Sequence, residues 1–336
     1  MAATIQETNF QFPGQIGDVY HGKVGDTYTI EHEGGNLLAV VRTDRISAFD
    51  VVLPQLIPRK GQILSEMSGE LLQATRPVAP NWLIDTPDPN VTLGYKAKPI
   101  MVEMIVRGAL LGSAWAAYSK EGVREICGNT IPEGMSEFQA FEKPLSTPTT
   151  KAVTGHDQNI TPAEIVAQGL ATAGEYEQME AMAFALFAKG QEMADERGLL
   201  LADTKYEFGK LATGEIVVID EVHTPDSSRY FHAEGYAAHL DDPARERPEQ
   251  LSKEFVREWL KAQGFEGKEG QVPPHMPDEF IEEITAKYEE LCETMLGYDF
   301  IPVDAANETE RLEQMEQNIL ASLEKLDAGQ ENKGHN

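Results

Sequence analysis

The stretch LLADTKYEFGKLATGEIVVIDEV, residues 200–222, places Asp203, Lys205 and Glu207 at every second position directly after an apolar run. Alternate residues of a strand face the same side, so these three form one charged row. A solvated strand face explains such a row as well as a site does. The second half of the stretch narrows the choice. Gly214 in ATGE supplies the positive φ that a hairpin turn demands, with β-prone segments on both sides. With Thr213 and Gly214 as a two-residue loop and no bulge, Ala212 pairs with Glu215, Leu211 with Ile216, and Glu207 with Asp220. Two carboxylates about 5 Å apart across a ladder repel by roughly 3 kcal/mol at an effective dielectric of about 20. A shared proton or a bound cation relieves such a pair. Oxygen donors without His or Cys select a hard ion, and Mg²⁺ is the natural one. Asp203, Lys205, Glu207 and Asp220 together form a candidate phosphate and magnesium site.

The 336 residues are enough for one large domain or two packed lobes with a substantial core. No apolar run approaches the roughly 18 residues that span a bilayer. The start, MAATIQETNFQFPGQ, has neither a basic segment nor an apolar core, so no secretory signal is expected. Cys127 and Cys292 are too few for a disulfide framework, which fits a reducing cytoplasm. A net charge of −28 argues against nucleic acid as a partner. Any anion site must then be a local basic pocket in an acidic exterior. Solubility and a salty habitat both account for the acidity.

Residues 17–56 alternate β-branched and polar residues between glycines and read as strands and turns. A helix is expected over 62–74 and a loop-rich stretch over 77–99. IMVEMIVRG reads as an apolar strand ending at Arg107, and SAWAAYSKEG as a short helix capped by Ser113. In TPAE, Thr161 caps, Pro162 opens the helix and Glu164 reaches back. Further helices are expected over 174–197, 252–263, 278–296 and 308–326. The pattern is that of an α+β protein, an antiparallel β lobe over 1–105 followed by a mixed α+β lobe over 106–300 and a helical extension over 301–336. The last helix carries one apolar stripe, Leu312, Met315, Ile319, Leu323 and Leu326, suited to packing on the body or to binding a partner.

Other stretches carry polar groups suited to anions. HGKVGDTY, residues 21–28, flanks Lys23 with Gly22 and Gly25, so backbone N–H groups and one point charge can approach a phosphate. It lacks the spacing of a P-loop, and an ordinary hairpin explains it too. In VRGALLGSAW, Arg107 ends a strand and Ser113 opens a helix whose N-terminus favours an anion, though a salt-bridged arginine and a structural cap explain the stretch at least as well. PLSTPTTKAVTGHDQNITP, residues 144–162, collects hydroxyls with Lys151, His156 and Asp157, whose carboxylate suits an amine or a ribose hydroxyl; solvent exposure explains so polar a loop equally well. TPDSSRY, residues 224–230, brings Asp226, Ser227, Ser228 and Arg229 beside the charged hairpin, where an arginine can grip a carboxylate or phosphate with two N–H groups. No base motif accompanies the serines, so they are not expected to be nucleophiles.

TDRISAFD, IVRGALLGSAW, PLSTPTTKA, GHDQNITP, LLADTKYEFG and VIDEVHTPDSSRY, in this order from Gly22 to Gly297, resemble the SAICAR synthetase family (phosphoribosylaminoimidazole-succinocarboxamide synthases), in its longer form found in yeasts and some bacteria. The resemblance implies ligation of L-aspartate to the carboxylate of carboxyaminoimidazole ribotide (CAIR), with ATP converted to ADP and phosphate. It implies a two-lobed fold related to ATP-grasp enzymes and protein kinases. By resemblance, Glu207 and Asp220 hold Mg²⁺, Gly22, Lys23, Lys98 and Met101 bind ATP, and Asp203 and Lys205 are catalytic. Arg107, Ser113, Lys151, Asp157, Ser228 and Arg229 would hold the substrates. The small-molecule partners implied are ATP, CAIR and L-aspartate, with no nucleic acid and no membrane. One departure stands at Gly25, where the family commonly has an arginine, leaving one charge fewer at that loop. The tail beyond Gly297 has no counterpart in the resemblance. Rival readings are a ligase or kinase of this fold with another acid substrate, and a non-catalytic nucleotide-binding protein.

Overall fold

The computed structural model describes residues 3–151 and 157–331. Its contacts divide the chain into two compact units that are not consecutive in sequence. One comprises the chain up to Gln73, Trp82–Lys96 and the chain from Lys253; the other comprises Ala74–Asn81 and Ala97–Ser252. A linear division near residues 105 and 300 does not follow this grouping, because the last quarter of the chain returns to the first unit.

The first unit is built on a five-stranded antiparallel sheet in the order Tyr20–His21, Gly25–Ile30, Leu37–Arg42, Val91–Tyr95, Leu83–Asp88. Period-two alternation puts Tyr28, Ile30, Leu37, Ala39 and Val41 into one core with Phe10, Phe12, Val91 and Leu93. The last two strands lie inside the stretch 77–99 that the sequence marks as loop. Pro87 is tolerated there because Leu83–Asp88 is an edge strand, with register shifts on either side of Asp85. The terminal helix, Glu308–Glu331, packs its stripe back on this sheet. Met315, Ile319 and Leu323 are buried in the same core, and Leu312 and Leu326 border it. Helices Lys60–Thr75, Glu254–Ala262 and Asp278–Leu296 complete the unit, close to the spans expected from sequence.

The second unit is centred on the long strand Leu199–Lys210. Lys98–Ala109 pairs along one edge of it, while Ile216–Ile219 and Ser228–His232 share the other edge. Beyond Lys98–Ala109 lie Ala140–Ser146 and Thr149–Thr150, and these strands pair antiparallel, while Asn81 makes an isolated parallel bridge to Val218. Helix Ala173–Asp195 lies on the central strand. The capping box of Thr161 and Glu164 forms as expected, and a second one, Thr172 with Glu175, starts the long helix. Ser113 is not a cap. Helix Gly112–Lys120 begins one residue earlier, behind Leu111, and has no side-chain cap.

The hairpin register also differs from the expected one. Glu207 pairs with Ile219, Phe208 with Val218 and Lys210 with Ile216, one residue out of step. The loop has three residues, Ala212 to Gly214, closed by Leu211 N–H donating to Glu215 O at 2.9 Å and Gly214 N–H to Leu211 O at 2.9 Å. Gly214 takes the left-handed conformation at its third position, φ +89°. A turn followed by such a glycine forms a G1 bulge, and the added residue shifts every pair. Asp220 is therefore not across from Glu207. It follows the strand end in a left-handed conformation, φ 63°.

Candidate active site

Strand alternation and register arrange the polar residues of the second unit into rows across one sheet face. Asp203 pairs with Arg107 on one side and Arg229 on the other. Four residues along, about 13 Å away at the usual strand rise, Glu207 pairs with Glu103, which pairs in turn with Thr149. Lys205 stands between the rows.

The first row is a guanidinium pair on one carboxylate. Asp203 Oδ2 accepts from Arg107 Nη1 at 3.2 Å and from Arg229 Nη1 at 2.5 Å. Arg107 also donates from Nε to Thr147 Oγ1 at 2.9 Å and from Nη2 to Ser113 Oγ at 3.4 Å. Gly112, φ +60°, leaves the room that the Arg229 guanidinium occupies: a Cβ there would stand 2.7–2.9 Å from it. Ser228 is buried beside this row, its hydroxyl 2.8 Å from that of Thr204.

The second row alternates in sign. Lys205 Nζ donates to Glu103 Oε1 and to Glu207 Oε1, each at 2.8 Å, and Lys151 pairs with the other oxygen of Glu207. Burial works against the Glu207 charge, but the ammonium groups of Lys205 and Lys151 outweigh it and hold the carboxyl below its ordinary range. Burial likewise opposes the Lys205 charge. Glu207, Glu103 and Asp220 overcome it and push the lysine above its ordinary range, so Asp220 acts electrostatically on the same ammonium. The carboxylate pair expected across the hairpin does not form: Ile219 stands in the place assigned to Asp220, and the carboxylate in register with Glu207 is Glu103, on the strand along its other edge.

Not every expected site residue lies in these rows. Lys98 opens strand Lys98–Ala109, exposed and opposite Lys210, and the Met101 carbonyl accepts from Lys151 N–H at 3.2 Å. Asp157 is exposed, two residues before Asn159 bridges to Thr149, and His156 lies outside the described residues. In the other unit, Gly22 N–H donates to Gly25 O at 2.8 Å, and Lys23 pairs with Asp50. Asp50 and its neighbour Phe49 are both left-handed, φ 63° and 53°. A Cβ on Gly25 would stand 2.8 Å from Val41 O, so the missing arginine side chain has no room in this backbone. A guanidinium still reaches the loop, because Arg45 donates to Gly22 O at 3.0 Å and to the buried Asp26 at 2.7 Å. Glu103 escaped the sequence reading, and Thr147 and Thr149 entered it only as unnamed hydroxyls of the stretch 144–162. The one signal for Glu103 was a lone carboxylate inside the apolar IMVEMIVRG.

Among the described residues no group of three or more His, Cys, Asp or Glu side chains is placed to hold a metal ion. Both Glu207 oxygens are paired with ammonium groups, of Lys205 and Lys151.

The sequence profile described as SAICAR synthetase matches residues 18–273. The chain belongs to the SAICAR synthetase family. A phosphoribosylaminoimidazole-succinocarboxamide synthase from Bacteroides fragilis is 54% identical over 322 residues, 96% of this chain and 99% of that protein. One from Legionella pneumophila strain Lens is 43% identical over 305 residues, 90% and 93% of the two chains. A match of 322 residues in a chain of 336 necessarily runs past Gly297, so the tail does have a counterpart among SAICAR synthetases. In structure, the chain is similar to the SAICAR synthase of Saccharomyces cerevisiae complexed with SAICAR: TM-score 0.68 and 33% identity, covering 84% of this chain and 95% of that one.

Proposed function

We infer that this chain ligates L-aspartate to the carboxylate of CAIR with conversion of ATP to ADP and phosphate, giving SAICAR in purine biosynthesis. Family membership over nearly the full length supports the reaction. One observation carries the assignment of residues: two polar rows on one sheet face, arginines at one end and a lysine–carboxylate cluster at the other.

The chemistry has a fixed requirement. An amine does not displace oxide from a carboxylate. The CAIR carboxylate oxygen first attacks the γ-phosphorus of ATP, and the bond to ADP breaks. The aspartate nitrogen then attacks the carbonyl carbon of the acyl phosphate, loses a proton, and phosphate departs with its oxygen. Two anions must be aligned and the charge developing on the transferring phosphoryl group neutralised. Lys205 is assigned to that charge, with Lys151 beside it. Arg107 and Arg229 are assigned to the anionic ends of CAIR and aspartate, flanked by Ser113, Ser228 and Asp157. Asp203 serves this end by holding the two guanidinium groups toward each other. Gly22, Lys23, Lys98 and Met101 are the proposed ATP contacts. Glu207 and Asp220 are proposed to hold Mg²⁺, which supplies Lewis-acid stabilisation of the phosphoryl oxygens when bound. A cytoplasmic location fits two buried free cysteines. Among the described residues no helix is long and apolar enough to cross a membrane.

The test is incubation with ATP, Mg²⁺, CAIR and L-aspartate, following ADP and succinocarboxamide together. Product that needs all four components is expected. ADP release without succinocarboxamide would reject the acceptor, and no ADP under any combination would reject the reaction. Glu207→Ala and Asp220→Ala should each lower kcat by at least about a thousandfold in a folded protein. Near-normal turnover in either would remove that residue from the metal assignment.

A further inference from the structure

Glu103 has no role in the reaction as derived so far, yet the sheet surrounds it with charge. It is buried within the apolar strand Lys98–Ala109, where a carboxylate is costly unless it is paired and hydrogen-bonded. Its ladder neighbours are Thr149 on one side and Glu207 on the other. Thr149 Oγ1 donates to its Oε2 at 3.2 Å, and Lys205 Nζ to its Oε1 at 2.8 Å. Both oxygens are thus engaged by side chains of the same sheet. Glu207, in register beside it, repels it. Lys205 Nζ, 2.8 Å from each carboxylate, holds the two together.

The geometry says what the second carboxylate adds. Lysine carries its charge on a flexible four-carbon stem with several rotatable bonds. Glu207 alone, two residues along the same strand, would tether the ammonium without centring it. Glu103 projects from the neighbouring strand, so the two carboxylates confine the nitrogen from two directions. An ammonium has three N–H donors. Two carboxylates take two of them, and the direction of the third is then set.

We propose that Glu103 is a positioning residue that holds the Lys205 ammonium with one N–H directed at an oxygen of the phosphoryl group in transfer. This rests on the role assigned to Lys205 under the proposed reaction. Glu103 does not itself touch reacting atoms, and its hydroxyl partner Thr149 keeps it from swinging toward them. Because catalysis by a charged group depends steeply on placement, losing Glu103 should appear in turnover more than in binding.

The experiment compares the full-length chain with Glu103→Gln and Glu103→Asp, measuring kcat and each KM separately, with thermal unfolding of each protein. Expected for Glu103→Gln is a fall in kcat of about 10- to 100-fold with every KM within about threefold of the parent. Glu103→Asp, which keeps the charge, should recover part of the loss. A kcat within twofold of the parent, a loss confined to KM, or a loss matching the unfolded fraction would each overturn the proposal. If Glu103→Gln does not fold, Glu103→Asp is read by the same criteria, with about a three- to tenfold lower kcat expected. A parent chain that releases ADP but makes no succinocarboxamide would reject the acceptor alone. The Glu103 comparison is then read on ADP release.

Discussion

Single residues in the second unit show how tightly charge and space are set. Gly112 is left-handed and lies against the Arg229 guanidinium. Alanine at 112 would strain the backbone and press on the guanidinium at once. Gly112→Ala should therefore raise KM for an anionic substrate by about tenfold, equivalent to roughly 1.4 kcal/mol, and steady-state titration of CAIR and aspartate measures it. An unchanged KM would mean that Arg229 has room to shift without cost. His223 carries a different expectation. It is fully buried, its Nε2 is 2.7 Å from the Tyr206 hydroxyl, and burial pushes its pKa down from the ordinary 6.5 to about 4. Between those values the unfolded chain binds a proton that the folded chain does not. Its contribution to stability is thus full above pH 6.5 and is lost as pH falls toward 4, by up to about 3 kcal/mol. Asp44 works in the opposite direction. Burial raises it from 3.8 to about 6, so its contribution is full below pH 3.8 and is lost as pH rises toward 6. The two oppose each other in mildly acid solution, so the whole-protein profile hides both. The difference in urea stability between the parent and His223→Gln isolates the histidine. It should shrink by about 3 kcal/mol between pH 7 and 4. A difference constant with pH would show that the imidazole is not held neutral.

At the scale of elements, the hairpin shows where sequence patterning is sufficient and where it stops. Alternation identified the strand Leu199–Lys210 and the shared face of Asp203, Lys205 and Glu207. It cannot count loop residues, because Thr213-Gly214 as two and Ala212-Thr213-Gly214 as three are both good turn chemistry. One residue of loop put Ile219 opposite Glu207 in place of Asp220, and the carboxylate that does repel it, Glu103, comes from a strand about a hundred residues earlier. Pairing between distant strands leaves no periodicity to read. A different limit hid Leu83–Asp88 and Val91–Tyr95, which pair locally: Pro80, Pro87 and Pro89 interrupt the alternation. Thr161 and Glu164 were legible because a capping box is local, whereas the cap expected at Ser113 lies two residues earlier, at Leu111, which supplies no side-chain cap that a sequence could show. Gly214 makes the loop testable. Its φ of +89° disfavours a Cβ, and none of the structure lies within 4 Å of where one would point. Gly214→Ala should lower stability by about 1 kcal/mol through backbone strain alone, leaving kcat unchanged. A loss of kcat would tie the turn to the charged rows.

At the scale of the whole molecule, the terminal helix decides what counts as the first unit's core. Sequence alone gave its stripe but not its partner, and the partner is the sheet built from the other end of the chain. Met315, Ile319 and Leu323 share a core with Phe10, Tyr28 and Val41. Burying each such side chain contributes about 1.5–3 kcal/mol. Polar contacts flank the stripe. Arg311 Nη1 donates to Asp88 Oδ2 at 3.0 Å and Nη2 to Asn90 Oδ1 at 2.8 Å, and Asn318 donates to Asp88 at 2.8 Å. Asp88 is 2% exposed, so removing the helix would strip its guanidinium while exposing the apolar face above it. The sum is comparable with the whole stability of a typical domain, about 5–15 kcal/mol. A chain ending at Asn307 should therefore lose its first unit as a folded body, seen as loss of hydrogen-exchange protection across 25–42 and 91–95. Arg311→Met, which leaves the apolar contacts but strands the carboxylate, should cost about 3–5 kcal/mol in urea unfolding. Full protection in the shortened chain would show that the sheet closes its core without the helix, and that the stripe serves another surface.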